Sequence, residues 1–165
     1  MTKNIGGLLN AYLKSCYTEN SIILAVVGTG ILENKLKLIT KKELFTDRVR
    51  FCGVRNDVEK VLSGSDIVVL PSFQEGMPTV LLEAMACSRA IICSNIDGNQ
   101  AILASEDCVF IDPNNPRELE IAIKELAKDP RRRIRLGNNA NIKVQQYDQE
   151  KIFTKLLKYY ECKEN

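Results

Sequence analysis

The first 113 residues alternate between short apolar runs and helical patterns, and this alternation narrows the fold more than any other feature of the chain. The runs are 22–27 before Gly28-Thr29-Gly30, 49–51 before Gly53, 67–70 before Pro71, 90–93 before Ser94, and 109–111 before Asp112-Pro113. They are short, β-branched and apolar rather than regularly alternating, which predicts a parallel sheet covered on both faces. Helical stripes fill the gaps: residues 5–13, then Leu32, Leu36, Ile39 and Leu44, then Val58, Val61 and Leu62 behind an Asn56 or Asp57 cap, then 80–86. Strand and helix in turn, joined by loops of a few residues, give a doubly wound α/β domain.

After Pro116 the pattern is helical only. Leu119, Ile123 and Leu126 form one stripe. Asp129-Pro130 opens the next helix, with Asp as cap and Pro at the first helical position. Ile134, Ala140 and Val144 are expected on its buried side, and Arg131-Arg132-Arg133 on its solvated face. A last helix is expected from about 149 through Ile152, Phe153, Leu156, Leu157 and Tyr160.

Composition removes several functions. The chain has 165 residues, enough for one domain, and is 45% hydrophobic, so a real core is affordable. There is no histidine, which excludes Ser-His-Asp triads, Cys-His dyads and His-liganded zinc within these residues. The net charge of +2 lacks the basic excess of a nucleic-acid reader. None of the six cysteines forms a CxxC pair, and Met1-Thr2-Lys3-Asn4 runs straight into a helical pattern. The expectation is a cytoplasmic protein with reduced thiols buried as small hydrophobes. No apolar stretch reaches the roughly 18 residues of a membrane span, which leaves room for peripheral contact at the inner face of a membrane.

In doubly wound sheets ligands bind at the carboxyl ends of the strands. The richest such loop is Pro71-Ser72-Phe73-Gln74-Glu75-Gly76-Met77-Pro78-Thr79, ahead of the helix Val80-Leu81-Leu82-Glu83-Ala84-Met85-Ala86. Pro78 suits a first helical turn, and Gly76 lets backbone approach a ligand. The free N–H groups at that helix start, with the helix dipole, suit a phosphate or diphosphate. Glu75 and Glu83 bracket the place. As carboxylates they could accept from vicinal hydroxyls, Glu83 from a ribose diol and Glu75 from a sugar beyond the phosphates. As bland alternatives, Glu75 is a surface acid and Glu83 an early-turn acid that complements the dipole. Gly28-Thr29-Gly30 lacks the third glycine of the dinucleotide fingerprint and reads as a tight turn.

The segment from Ser72 to Ala86 closely resembles the Glu-x7-Glu segment of the retaining glycosyltransferases called group 1 or family 4. The flanks agree. The stretch 3–11 resembles that family's "KGxxxLLxA" helix, 27–30 its "VGxG", 49–54 its "VxFxGxV", and 65–72 its "aDvxvxPS". Arg135-Leu136-Gly137-Asn138-Asn139-Ala140 and the closing pattern from Tyr147 to Tyr160 fit as well.

The resemblance implies a GT-B enzyme of two Rossmann-like domains, with residues 1–165 forming the C-terminal, donor-binding one. The family's first strand, with its "GR" turn, would precede Lys3 and is missing from these residues, as is the N-terminal acceptor domain. The chain alone is therefore expected to be inactive. Carried over, Glu75 would contact the donor sugar at the reacting centre. The amides around Gly76, Met77 and Thr79 would hold the diphosphate, and Lys3 would reach it. Glu83 would bind the ribose and the backbone near Val54 would meet the base. The implied partners are a nucleotide-diphospho-sugar donor, the acceptor domain, and a sugar or lipid-linked acceptor. The implied reaction retains anomeric configuration and needs no metal or other cofactor. Surface polysaccharide or glycoconjugate synthesis is the implied setting.

Two departures stand out. The family has Gly then Pro where this chain has Ser88-Arg89, and its "GGxxE" loop appears as Asp97-Gly98-Asn99-Gln100-Ala101. Two other readings share the architecture. A nucleotide-sugar epimerase would lean on more ionisable groups than a histidine-free chain offers. A non-catalytic α/β nucleotide-binding or receiver-like module would, if a receiver, need an aspartate cluster at strand ends, where Gly28, Gly53 and Pro71 stand.

Overall fold

The computed structural model describes residues 2–16, 22–43, 45 and 47–148. In chain order they form α1 (Ile5–Cys16), β1 (Leu24–Val27), α2 (Glu33–Lys42), β2 (Val49–Gly53), α3 (Val58–Ser63), β3 (Ile67–Leu70), α4 (Thr79–Ala86), β4 (Ala90–Ser94), α5 (Asp97–Gln100), β5 (Val109–Ile111), α6 (Pro116–Lys128) and α7 (Pro130–Val144). A 3-10 turn, Gln145–Tyr147, follows. The expected helix from 149 to 160, with Cys162, lies outside the described residues, as does Leu44.

All strand pairing within the ladders is parallel. The strands bond in two groups, β1 with β2 and β3-β4-β5 in that order. Burial is less even than the apolar runs suggest. Only β4 is buried along its whole length. In β1, residues 24 and 26 turn inward while Ala25 and Val27 are exposed. The reason is helix placement. Leu9 and Tyr12 of α1 and Leu36 of α2 share one core with Val49, Leu24, Val26 and Phe51. Both helices thus cover the same face of β1-β2, and the outward side chains of β1 remain open among the described residues.

The β3-β4-β5 group has cover on both faces. Leu81, Ala84 and Met85 of α4 and Ala140 of α7 pack with Leu70, Ile91 and Cys93. On the other face, Leu8 and Ala11 of α1 and Leu119, Ala122, Ile123 and Leu126 of α6 pack with Ala90, Ile92 and Ile111. Each fully buried aliphatic side chain here is worth about 1.5–3 kcal/mol over its exposed state. Tyr12 ties α1 to the sheet, its hydroxyl shared between Ile22 O at 2.7 Å and Arg48 O at 3.2 Å. Burial pushes its phenol well above the usual range.

Local chemistry explains several boundaries. Asn115 Oδ1 accepts from Arg117 N at 3.2 Å and Asp129 Oδ1 from Arg132 N at 2.8 Å, each ahead of an N-terminal proline. Such caps contribute about 1 kcal/mol apiece. Asp57 precedes α3 but does not cap it with its side chain. Arg55 captures that carboxylate instead, at 2.8 and 2.6 Å, and this hydrogen-bonded pair holds Asp57 below the ordinary carboxylate range. Ile134 is not buried as expected but 63% exposed, and Leu136 takes its place in the core. The arginine run is less solvated than expected. Arg133 donates to Leu126 O and Ala127 O at the end of α6, where a cation meets the negative end of the helix dipole. Cys16, Cys93 and Cys108 are buried, whereas Cys52 and Cys87 are partly exposed, and none of the five is in a disulfide.

The Ser88 departure acquires a physical meaning. Ser88 N donates to Met85 O and Arg89 N to Ala84 O, both at 3.0 Å, the two bonds of a Schellman stop after α4. Ser88 has φ of 54°, the left-handed region that this stop requires and that glycine occupies without strain. Ser88→Gly is therefore expected to stabilise the protein by about 1 kcal/mol. A thermal melt should rise by about 3 °C; a fall would show that the serine side chain makes up for its backbone.

Candidate functional site

Parallel strands bring their carboxyl ends to one edge of a sheet, and the loops that leave there hold the candidate residues. β1 and β2 end at Gly28 and Gly53, with φ of 105° and 63°, and Gly28 N donates to Gly53 O at 2.6 Å. Val54 follows and is 72% exposed. β3 ends at Leu70, and Pro71 and Ser72 stay fully buried as the chain turns into the loop toward α4.

The chain start meets this loop. Thr2 O accepts from Phe73 N at 2.7 Å, which sets residues 2–4 across the end of β3. Lys3 Nζ then reaches Glu75 Oε1 at 2.7 Å. The Glu75 side chain is 11% exposed and that of Lys3 is 55% exposed. The lysine end of the pair is open to solvent while the carboxylate is largely covered, so the arrangement places a screened cation beside a fixed carboxylate. The sequence named both residues but did not anticipate their pairing, which spans 72 positions.

Past Glu75 the loop rises to α4. Gly76, Met77 and Thr79 are exposed, and their amides make no hydrogen bond among the described residues. Pro78 is not in the first turn but just before it, extended at φ −77° and ψ 94°, with its carbonyl accepting from Leu81 N at 2.9 Å. Its own ψ is extended rather than helical, so the helix begins one residue later, at Thr79. The outcome is a set of free donors at the positive end of a helix dipole, a place suited to anionic oxygens.

Glu83 lies four residues after Thr79 on α4, on the same helix face. The Cα–Cβ bonds of a helix tilt toward its N-terminus, so Glu83 stands on the face of α4 that leads back to Thr79. Glu83 is exposed and has no ion pair or hydrogen bond from its side chain among the described residues. The structure therefore joins Lys3 and Glu75 directly, keeps Gly76, Met77 and Thr79 on their loop, and sets Glu83 one turn below. Val54 follows β2, in the other strand group, and no hydrogen bond links it to the Glu75 loop among the described residues.

The sequence reading missed the α5 turn, expected only as loop. Ile96 is extended ahead of it, and Asn99 inside it is fully buried. Gly98 abuts the backbone of Glu75 and Gly76. The available signal was a glycine in a loop at the end of a strand. Elsewhere, Cys93 Sγ and Cys108 Sγ lie 3.9 Å apart and buried, and that thiol contact together with burial holds Cys93 protonated. No helix among the described residues is long and apolar enough to cross a membrane.

Comparison with known proteins adds to this geometry. Residues 1–143 match the family described as glycosyl transferases group 1. The chain is 37% identical over 114 residues to the N,N'-diacetylbacillosaminyl-diphospho-undecaprenol alpha-1,3-N-acetylgalactosaminyltransferase of Campylobacter jejuni, covering 68% of this chain and 30% of that protein. Among solved structures it is similar to Anabaena HepE in complex with UDP and glucose, with a TM-score of 0.86 at 20% identity, covering 97% of this chain and 45% of that one. It is also similar to the C-terminal domain of the group 1 family protein LpcC from Francisella tularensis, with a TM-score of 0.77 at 22% identity, covering 88% and 79%. The chain spans less than half the length of the curated relatives it matches.

Proposed function

The chain belongs to the group 1 glycosyltransferases and has the Rossmann-like architecture of their C-terminal, GT-B half, and on that premise we propose that it binds the nucleotide-diphospho-sugar donor of such an enzyme. The observation that carries this reading is the Lys3–Glu75 pair beside the free amides that open α4.

In this reading the amides of Gly76, Met77 and Thr79 hold the diphosphate. Lys3 leaves Glu75 for a phosphate oxygen when the donor arrives. Glu75, freed of its cation, accepts from hydroxyls of the donor sugar beside the reacting carbon. Glu83 accepts from both ribose hydroxyls, and the backbone near Val54 meets the base. As the bond from sugar to diphosphate breaks, negative charge grows on the leaving oxygens. A lysine and a helix N-terminus aimed there stabilise that charge without a metal. The sugar passes to the acceptor with its anomeric configuration retained.

The acceptor belongs to an N-terminal domain of the same enzyme. We extend the proposal to a strand ahead of Thr2 that joins the two strand groups, since β1 bonds only β2 and β3 only β4 among the described residues. The Campylobacter relative is named for a diphospho-undecaprenol-linked acceptor, which supports a lipid-linked acceptor here too. The enzyme would then work in the cytoplasm, at the inner face of the membrane.

Calorimetric titration of the full-length protein with UDP, GDP, ADP and their sugar forms is expected to show saturable binding of at least one. No heat with any of them would overturn the donor assignment.

A further inference from the structure

The α5 turn is tied firmly to the most buried strand. Asn99 Nδ2 donates to Ser94 O at 2.8 Å, and the amides of Asn99 and Gln100 both donate to Ile96 O at 3.0 Å. Asn99 Oδ1 is buried without a partner, as are the hydroxyls of Ser72 and Ser94 at the ends of β3 and β4. Buried polar atoms left unpaired are uncommon, and these three belong to the Glu75 loop itself, to the end of β4 and to α5.

Gly98 lies on the loop-facing side of that turn. A Cβ built on it would collide with Glu75 O and would stand 2.8 Å from Glu75 C and 2.7 Å from Gly76 O. These are backbone atoms and cannot rotate aside. At Gly76 itself, by contrast, a Cβ would meet nothing within 4 Å. Pro71 and Ser72 are buried, Phe73 N is tied to Thr2 O and Glu75 to Lys3, and contact with α5 adds a backbone support directly at Glu75 and Gly76.

We infer that Gly98 is a positioning residue: α5, anchored through Asn99, is a shelf on which the Glu75–Gly76 peptide rests, and only glycine keeps that shelf low enough for Glu75 to meet Lys3. The inference builds on the role proposed for Glu75. Displacing a reacting group by about 1 Å costs up to about 100-fold in rate, so a shelf this close bears on function.

The test uses the full-length protein with Gly98→Ala, Asn99→Ala, and Gly6→Ala as control, since a Cβ at Gly6 meets nothing within 4 Å. Hydrogen–deuterium exchange of the Phe73 amide, which among the described amides of 71–79 is the one with a hydrogen-bond partner, Thr2 O, should quicken about tenfold in Gly98→Ala and less in Asn99→Ala, with β4 still protected and Gly6→Ala unchanged. Turnover should fall about tenfold in Gly98→Ala, yet Gly98→Ala should add little to Glu75→Gln, because both act through one carboxylate. Exchange at Phe73 equal to wild type in both variants, or losses in turnover that simply multiply, would overturn the inference. If Gly98→Ala does not fold, Asn99→Ala carries the same readouts without a clash. Should the wild type bind no nucleotide, the donor reading falls and the exchange result still decides the positioning.

Discussion

Glu75→Gln in the full-length enzyme is expected to lower kcat about 100-fold while leaving the thermal melt within about 1 °C. The two halves of this result have separate causes. Glutamine keeps the shape of the side chain but not its charge. A carboxylate beside the reacting carbon stabilises developing positive charge and orients the sugar hydroxyls, and removing one such preorganised group typically costs about 100- to 1000-fold. Stability, in contrast, barely depends on the pair. Lys3 is more than half exposed, and losing its partner leaves it in water rather than in the core. Nucleotide affinity should hold or rise slightly, since Lys3 no longer has to leave a carboxylate to meet the diphosphate. Steady-state kinetics with a parallel melt check this. Normal turnover in the glutamine variant would remove Glu75 from the reacting centre.

Glu83→Ala is expected to act on binding. Two hydrogen bonds from ribose hydroxyls to a charged acceptor are together worth about 2–3 kcal/mol, or a rise in Kd of about 30- to 150-fold. Glu83 is exposed and has no side-chain partner among the described residues, so the fold should not notice. A 2′-deoxy nucleotide gives the control. It should bind the wild type weakly and lose little more in the variant, because both changes remove the same contact. Equal affinities of wild type and variant for the ribonucleotide would exclude the ribose assignment.

Much of the fold was legible because its signals are local. The apolar runs that became β2 to β5 each end at a residue that stops a strand, and Asp129 caps α7 through a bond within its own turn. The departures have physical reasons too. Ile134 fits a helical stripe by spacing, but the stripe's rotation is decided by what α7 packs against, and the contact falls on Leu136, Gly137 and Ala140. Asp57 has the chemistry of a cap, yet an arginine two residues away competes for it and wins. The openness of β1 could not be read from its letters, because helices α1 and α2 come from different parts of the chain and happen to share one face.

The amino-acid order alone thus determined β1 to β5 and the helices α1 to α4, α6 and α7 among the described residues, that the sheet is parallel, and that Glu75 through Glu83 straddle a helix start rich in free amides. These follow from backbone rules acting over a few residues. Tertiary structure decided that Lys3 meets Glu75, that Ser88 carries a left-handed stop, and that Gly98 lies under the Glu75–Gly76 peptide. The first and last require positions far apart in the chain, and the Ser88 angle runs against the preference of its own side chain, so none of the three is given by local residue preference.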